Sequence, residues 1–129
     1  MLKLPMNDRQ LEILDHYKHP RNFEKTNFKF TNRAKESNLT CGDEIEMEVI
    51  VREGRVEDIN FTGEGCSLCI AGASMLTETV VGKTVEEIEG FNNDDMIGVV
   101  GLEVTPAREK CIVLGLDTLK SALLLKSSR

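Results

Sequence analysis

The sequence predicts an α+β fold: a two-layer sandwich in which a small antiparallel sheet of about three strands is covered by helices on one face. Three observations carry this expectation. Residues 44–52 alternate apolar and acidic side chains with period two, and a second apolar run follows immediately after Glu53-Gly54. Residues 66–81 and the stretch from Pro106 onward have helical spacing with stop and start signals at their ends. The order helix, strands, helices segregates the element types instead of alternating them.

Each element has its own reason. A first helix over 7–18 is capped by Asn7 with Gln10 three residues later, and it places Leu11, Leu14 and Tyr17 or Lys18 on one face. His19-Pro20 ends it, because proline disfavours the helical conformation in the residue before it. Residues 21–40 are polar with Phe23, Phe28 and Phe30 interspersed, which predicts an extended segment with one short strand around 28–30. The strand over 44–52 turns Ile45, Met47, Val49 and Val51 inward and leaves Glu44, Glu46 and Glu48 as a solvated face. Glu53-Gly54 makes the hairpin turn, and a strand over 56–62 returns with Ile59 and Phe61 inward.

Gly63 to Gly65 then break that strand, and a helix over 66–81 is stopped by Gly82. Its small residues, Ala71, Gly72, Ala73 and Ser74, let it lie close to the sheet. Thr84-Val85-Glu86-Glu87 is a capping-box pattern opening a short helix that ends at Gly90. Residues 92–101 carry no sharp signal and read as a loop or weak helix. Thr105-Pro106 opens the last helix, whose Ile112, Leu116, Leu119 and Leu123 form one core-facing stripe. Lys120, Lys126 and Arg129 fall towards its negative C-terminal end.

A chain of 129 residues with 40% hydrophobic and 29% charged residues is expected to form one domain spanning 1–129. Sixteen Lys+Arg against 22 Asp+Glu give a net charge of −6, which argues against nucleic acid and anionic membranes as partners. No apolar run approaches the roughly 20 residues of a membrane span. The opening MLKLPMNDRQ has no apolar signal region, so a cytoplasmic location is expected and stable disulfides are not. Metal binding, redox chemistry or buried thiols then remain for the four cysteines, Cys41, Cys66, Cys69 and Cys111.

Three of these thiols stand where secondary structure changes. Cys41 precedes Gly42-Asp43 at the entrance to the long strand, Cys66 lies at the first turn of a helix, and Cys111 in the second turn of the last helix. A helix start favours thiolate over thiol, the nucleophilic and metal-binding form. Three thiolates with Asp43 as a harder oxygen ligand suit a tetrahedral Zn²⁺ or the four protein positions of a [2Fe-2S] cluster. One carboxylate among the sulfurs suits a cluster that is held loosely and passed on. The spacings of 25 and 45 residues match no compact zinc-finger pattern, and Asp43 by itself is ordinary turn chemistry. Two rivals remain at this point: a thiol–disulfide oxidoreductase using Cys66-Ser67-Leu68-Cys69, and a purely structural zinc domain. His16 and His19 read as solvent-facing residues, not ligands.

Thr40-Cys41-Gly42-Asp43, Gly65-Cys66-Ser67, Pro106-Ala107-Arg108-Glu109-Lys110-Cys111 and the early His19-Pro20-Arg21-Asn22 together resemble the IscU/SufU/NifU iron–sulfur assembly family over roughly residues 8 to 124. The resemblance implies a scaffold or zinc-dependent sulfur acceptor, not an enzyme in its own right, that receives persulfide sulfur from a pyridoxal-phosphate cysteine desulfurase. It implies delivery to a downstream iron–sulfur carrier or apo-proteins. It further implies Cys41, Asp43, Cys66 and Cys111 as ligands of zinc, iron or a transient [2Fe-2S] cluster. Cys41 and Cys111 are its candidate persulfide acceptors, and Arg108 the residue that docks the desulfurase. Lys110 stands where IscU-type members carry histidine, and the Pro-Ala-Arg-x-Lys-Cys context looks like SufU. The short interval between Cys66 and Cys111 is closer to IscU. Cys69 departs from the family pattern, and the simplest reading of it is a small residue packed on the sheet.

Overall fold

Strand β2 (Asp43–Arg52) is the centre of the molecule, and its alternation sets the two faces of the sheet. The computed structural model describes residues 7–40 and 42–127, with side chains through residue 124. On one side β2 pairs antiparallel with β1 (Asn32–Asn38), in register from Asn32 opposite Val49 to Asn38 opposite Asp43. On the other it pairs antiparallel with β3 (Arg55–Glu64), from Glu44 opposite Glu64 to Arg52 opposite Arg55. The strand order β1-β2-β3 is the small antiparallel sheet that the sequence predicts. Ile45, Met47 and Val49 are fully buried, each contributing about 2 kcal/mol of apolar burial. Glu53 and Gly54 both take positive φ (54° and 76°), the type I′ turn whose twist matches the strands it joins.

The helices are α1 (Asp8–Lys18), α2 (Ser67–Val80), α3 (Val85–Glu89), α4 (Asn93–Val100) and α5 (Pro106–Ser127). Helix α5 lies against β1 and β2, α2 packs against β3 and α5, and α1 packs on α2. Small residues make this possible. A Cβ on Gly115 would stand 3.2 Å from Ala73 and 3.5 Å from the Met47 methyl, so α5, α2 and β2 meet closely enough that a larger residue would crowd α2. Surrounded in this way, α2 buries an unbroken run from Cys69 to Thr77. Ile112, Leu116, Leu119 and Leu123 all face the core, as their spacing predicts. Among the described residues no helix is long and apolar enough to cross a membrane.

Three local expectations are corrected, and for residues 93–100 the helical one of two readings holds. The first pairing strand is Asn32–Asn38, not 28–30; its polar sequence becomes a strand because β2 offers it an edge. Residues 93–100 form a regular helix, with Asn92 and Asp95 closing a capping box and Gly101 ending it in the left-handed conformation. Gly63 does not break β3: it pairs with Ile45, and a Cβ there would collide with the Glu44 carbonyl, so the glycine serves close strand approach. On α1 the buried residues are Ile13 and His16, while Leu11 and Tyr17 are exposed.

His16 is the largest of these departures. It is 3% exposed, with Nδ1 2.6 Å from the buried Ser74 hydroxyl, which also accepts the Arg21 backbone N–H at 2.8 Å. The Asn22 side-chain amide donates to the Thr77 hydroxyl at 3.0 Å, so this polar seam joins α1 and the segment after it to α2. His19 is exposed, as expected.

Candidate metal centre

Three segments distant in sequence end at one corner of the sandwich. The period of β2 that sends Ile45, Met47 and Val49 into the core sends Asp43 the same way, and its carboxylate is only 3% exposed at the end of the sheet. Cys66 is the N-cap of α2, with extended backbone (φ −70°, ψ 170°), and its carbonyl accepts the Ile70 N–H at 3.1 Å. Its own N–H donates to Asp43 Oδ1 at 3.2 Å, tying the first residue of β2 to the start of α2. Cys111 is buried on α5, five residues beyond the proline that opens that helix.

One donor atom from each of Asp43, Cys66 and Cys111 lies within 4.8 Å of the other two. A cleft of about 290 Å³ opens over them, bordered also by Gly42, Gly65, Ala107 and Arg108. Cys41 lies outside the described residues, so its place at the site stays an expectation. Its neighbour Gly42, at φ 73°, donates its N–H to the Asn38 carbonyl at 2.9 Å in a tight turn beside the cleft.

The electrostatics of this corner suit a cation. Asp43 Oδ2 is buried and, among the described residues, takes part in no hydrogen bond, an arrangement that costs free energy until a positive group supplies the missing contact. Burial first, then Asp43 and Cys66 beside it, push the Cys111 thiol well above the ordinary cysteine range. A metal ion reverses that preference by displacing the thiol proton. Two sulfurs and one carboxylate oxygen converging in this way fit Zn²⁺ or iron better than Mg²⁺ or Ca²⁺, which prefer oxygen alone.

Gly65 is a residue whose role the sequence reading missed. A Cβ there would lie 2.8 Å from Asp43 Oδ1 and 3.1 Å from Cys69 Sγ, so the bare backbone leaves room for the carboxylate. The signal is the glycine directly before Cys66, which the sequence offers as a strand break and as part of the Gly65-Cys66-Ser67 motif but not as space for a carboxylate. Cys69 is fully buried beneath this point and is not among the converging donors. Arg108 is exposed and borders both the cleft and a second groove of about 300 Å³, formed with Gln10, Ile13, Leu14, Ser67, Leu68 and Leu102.

Known proteins resemble this chain over nearly its whole length. The family model described as the NifU-like N terminal domain matches residues 8–126. The chain is 35% identical over 117 residues to the iron-sulfur cluster assembly scaffold protein IscU of Buchnera aphidicola, covering 87% of this chain and 89% of that one. It is 34% identical over 128 residues to the zinc-dependent sulfurtransferase SufU of Bacillus subtilis, covering 86% of each. In fold it is similar to the N-terminal part of a NifU-like protein from Brucella abortus, with a TM-score of 0.77 at 17% identity over 95% of this chain and 94% of that one. The chain therefore has named relatives over nearly its whole length, and it belongs to the NifU-like N-terminal domain family.

Proposed function

We propose that this protein is a scaffold for iron–sulfur cluster assembly that accepts sulfur from a cysteine desulfurase, working as one domain in the cytoplasm. The observation that carries the reading is the buried Asp43 carboxylate, with one oxygen that has no hydrogen-bond partner among the described residues, set against the Cys66 and Cys111 thiols. Cys41, Asp43, Cys66 and Cys111 hold a zinc ion or the [2Fe-2S] cluster that is the scaffold's cargo. Zinc, when bound, keeps the sulfurs as thiolates. Relatives called a scaffold and a zinc-dependent sulfurtransferase support both halves of the proposal.

Sulfur transfer follows thiol–disulfide logic. Cys41 or Cys111, as thiolate, attacks the outer sulfur of the desulfurase persulfide; a new S–S bond forms, the enzyme's S–S bond breaks, and the enzyme cysteine leaves as thiolate. Arg108, exposed at the rim of the cleft, meets the desulfurase, and the assembled cluster passes to a carrier or apo-protein. The protein is then a sulfur acceptor and not a catalyst with its own turnover. The all-antiparallel sheet offers no parallel βαβ unit around Cys66 and Cys69, which disfavours a thioredoxin-like oxidoreductase.

Two measurements test the reading. Metal analysis and the visible spectrum of anaerobically purified protein are expected to show either one zinc or a cluster band. Incubation with a pyridoxal-phosphate cysteine desulfurase and cysteine is expected to add sulfur to the chain by intact mass. Unchanged desulfurase turnover together with no persulfide mass would rule out the acceptor role.

A further inference from the structure

Helix α2 opens on two cysteines, and the other helices of this chain show how such a pair sits. In α1, α3 and α4 the N-cap residue and the third helical residue face each other. Asn7 and Gln10, Thr84 and Glu87, and Asn92 and Asp95 each exchange reciprocal side chain-to-backbone hydrogen bonds of 2.7–3.1 Å. In α2 those two positions are Cys66 and Cys69, and the Cys66 backbone has the same extended N-cap geometry. The Cys66 side chain makes no capping hydrogen bond. The Cys69 sulfur is turned back towards the helix start, 3.1 Å from where a Cβ on Gly65 would sit.

Residues three apart on a helix bring their Cβ atoms within about 5–6 Å. A disulfide needs about 3.5–4.5 Å, and the N-cap can supply that adjustment because its dihedrals lie outside the helix. The two thiols also differ in access. Cys66 is half-buried and borders the open cleft, whereas Cys69 is fully buried. An oxidant entering the cleft therefore meets Cys66 before Cys69, and Cys69, three residues on, comes within reach of the product once the N-cap adjusts.

We infer that Cys66 and Cys69 form a reversible disulfide in response to a peroxide-class oxidant, and that this disulfide withdraws Cys66 from the metal centre. The effect on metal rests on the proposed function; the disulfide itself does not. The Cys66 thiolate attacks one peroxide oxygen: an S–O bond forms, the O–O bond breaks and hydroxide leaves. The Cys69 sulfur attacks the resulting sulfenic sulfur: an S–S bond forms, the S–O bond breaks, and the departing oxygen takes the Cys69 proton and leaves as water. Two electrons pass from the sulfurs to the peroxide. A dithiol reductant returns both thiols by exchange.

The test treats zinc-loaded full-length protein with hydrogen peroxide in the presence of a chromogenic zinc chelator, followed by trypsin and mass analysis. Residues 56–83 form one tryptic peptide carrying both Cys66 and Cys69, while Cys41 and Cys111 fall on others. Expected are loss of two hydrogens from that single peptide, zinc release in step with it, and reversal of both by dithiothreitol. Cys69→Ala is expected to load with zinc but to release it about tenfold more slowly under the same oxidant; Cys69→Ser provides a second variant if the alanine form does not fold. A cross-link from this peptide to one carrying Cys41 or Cys111, or equal release by variant and wild type, would overturn the inference. Should the protein take up no zinc, the same mass shift in the metal-free chain still decides for or against the disulfide, so the two readings fail separately.

Discussion

Asp43 Oδ1 accepts the Cys66 backbone N–H at 3.2 Å, joining the first residue of β2 to the N-cap of α2, while Oδ2 of the same carboxylate is buried with no hydrogen-bond partner among the described residues. One oxygen is tied into the fold, and the other is the one that the proposed function gives to the metal. Asp43→Asn separates these roles, because the amide oxygen still accepts from Cys66 while the charge is gone. The metal-free variant is expected to be about 1 kcal/mol more stable than wild type. Its zinc affinity is expected to fall by about a hundredfold or more, beyond the usual loss of an outer-shell partner. Thermal melts with and without zinc read both effects, since a bound ion raises the midpoint by mass action.

Gly65→Ala puts a methyl group against the Asp43 carboxylate and the Cys69 sulfur at 2.8 and 3.1 Å. The crowding is expected to cost about 1–3 kcal/mol, and zinc affinity is expected to fall because the carboxylate must turn aside. Denaturant unfolding and a zinc titration measure the two; wild-type values in both would remove the spacing role of this glycine.

The buried ring of His16 makes stability depend on pH. Burial first, then the Arg21 charge, lower its pKa, while Glu78, Glu12 and Asp15 oppose them. The folded state therefore takes up a proton less readily than the unfolded chain, whose histidine titrates near 6.5. Stability from this group is complete above that value and declines as pH falls below it. His16→Gln is expected to flatten the midpoint between about pH 7.5 and pH 5.

Ser74→Ala removes the hydroxyl that His16 Nδ1 and the Arg21 N–H share, leaving a buried ring nitrogen and a half-buried N–H unmatched. A loss of about 1–3 kcal/mol is expected in equilibrium unfolding.

Arg108→Ala tests docking without touching the donors. Zinc affinity is expected to stay within about twofold of wild type, while the concentration needed to stimulate a cysteine desulfurase rises about tenfold. A matching loss of zinc affinity would instead place Arg108 in the metal site.

The candidate site was only partly legible from spacing. Cys41, Cys66 and Cys111 stand 25 and 45 residues apart, and nothing local says that their segments converge. Resemblance to known sequences supplied that grouping, and the structure adds that Asp43, Cys66 and Cys111 share one corner. Residues 93–100 carry a local signal of their own, the capping box of Asn92 and Asp95 and the left-handed Gly101 that ends the helix.

The sequence by itself determined the elements whose cause is local. Alternation along β2, the Glu53-Gly54 turn, three capped helix starts and the α5 stripe need only neighbours within a few residues. Tertiary structure decided what depends on a distant partner. Strand β1 is polar and pairs because β2 presents an open edge; His16 is buried because Ser74, 58 residues away, meets it; and Gly65 is bare because a carboxylate from another strand occupies the space a side chain would take. Burial and convergence are properties of packing, and no window of sequence contains the partner that causes them.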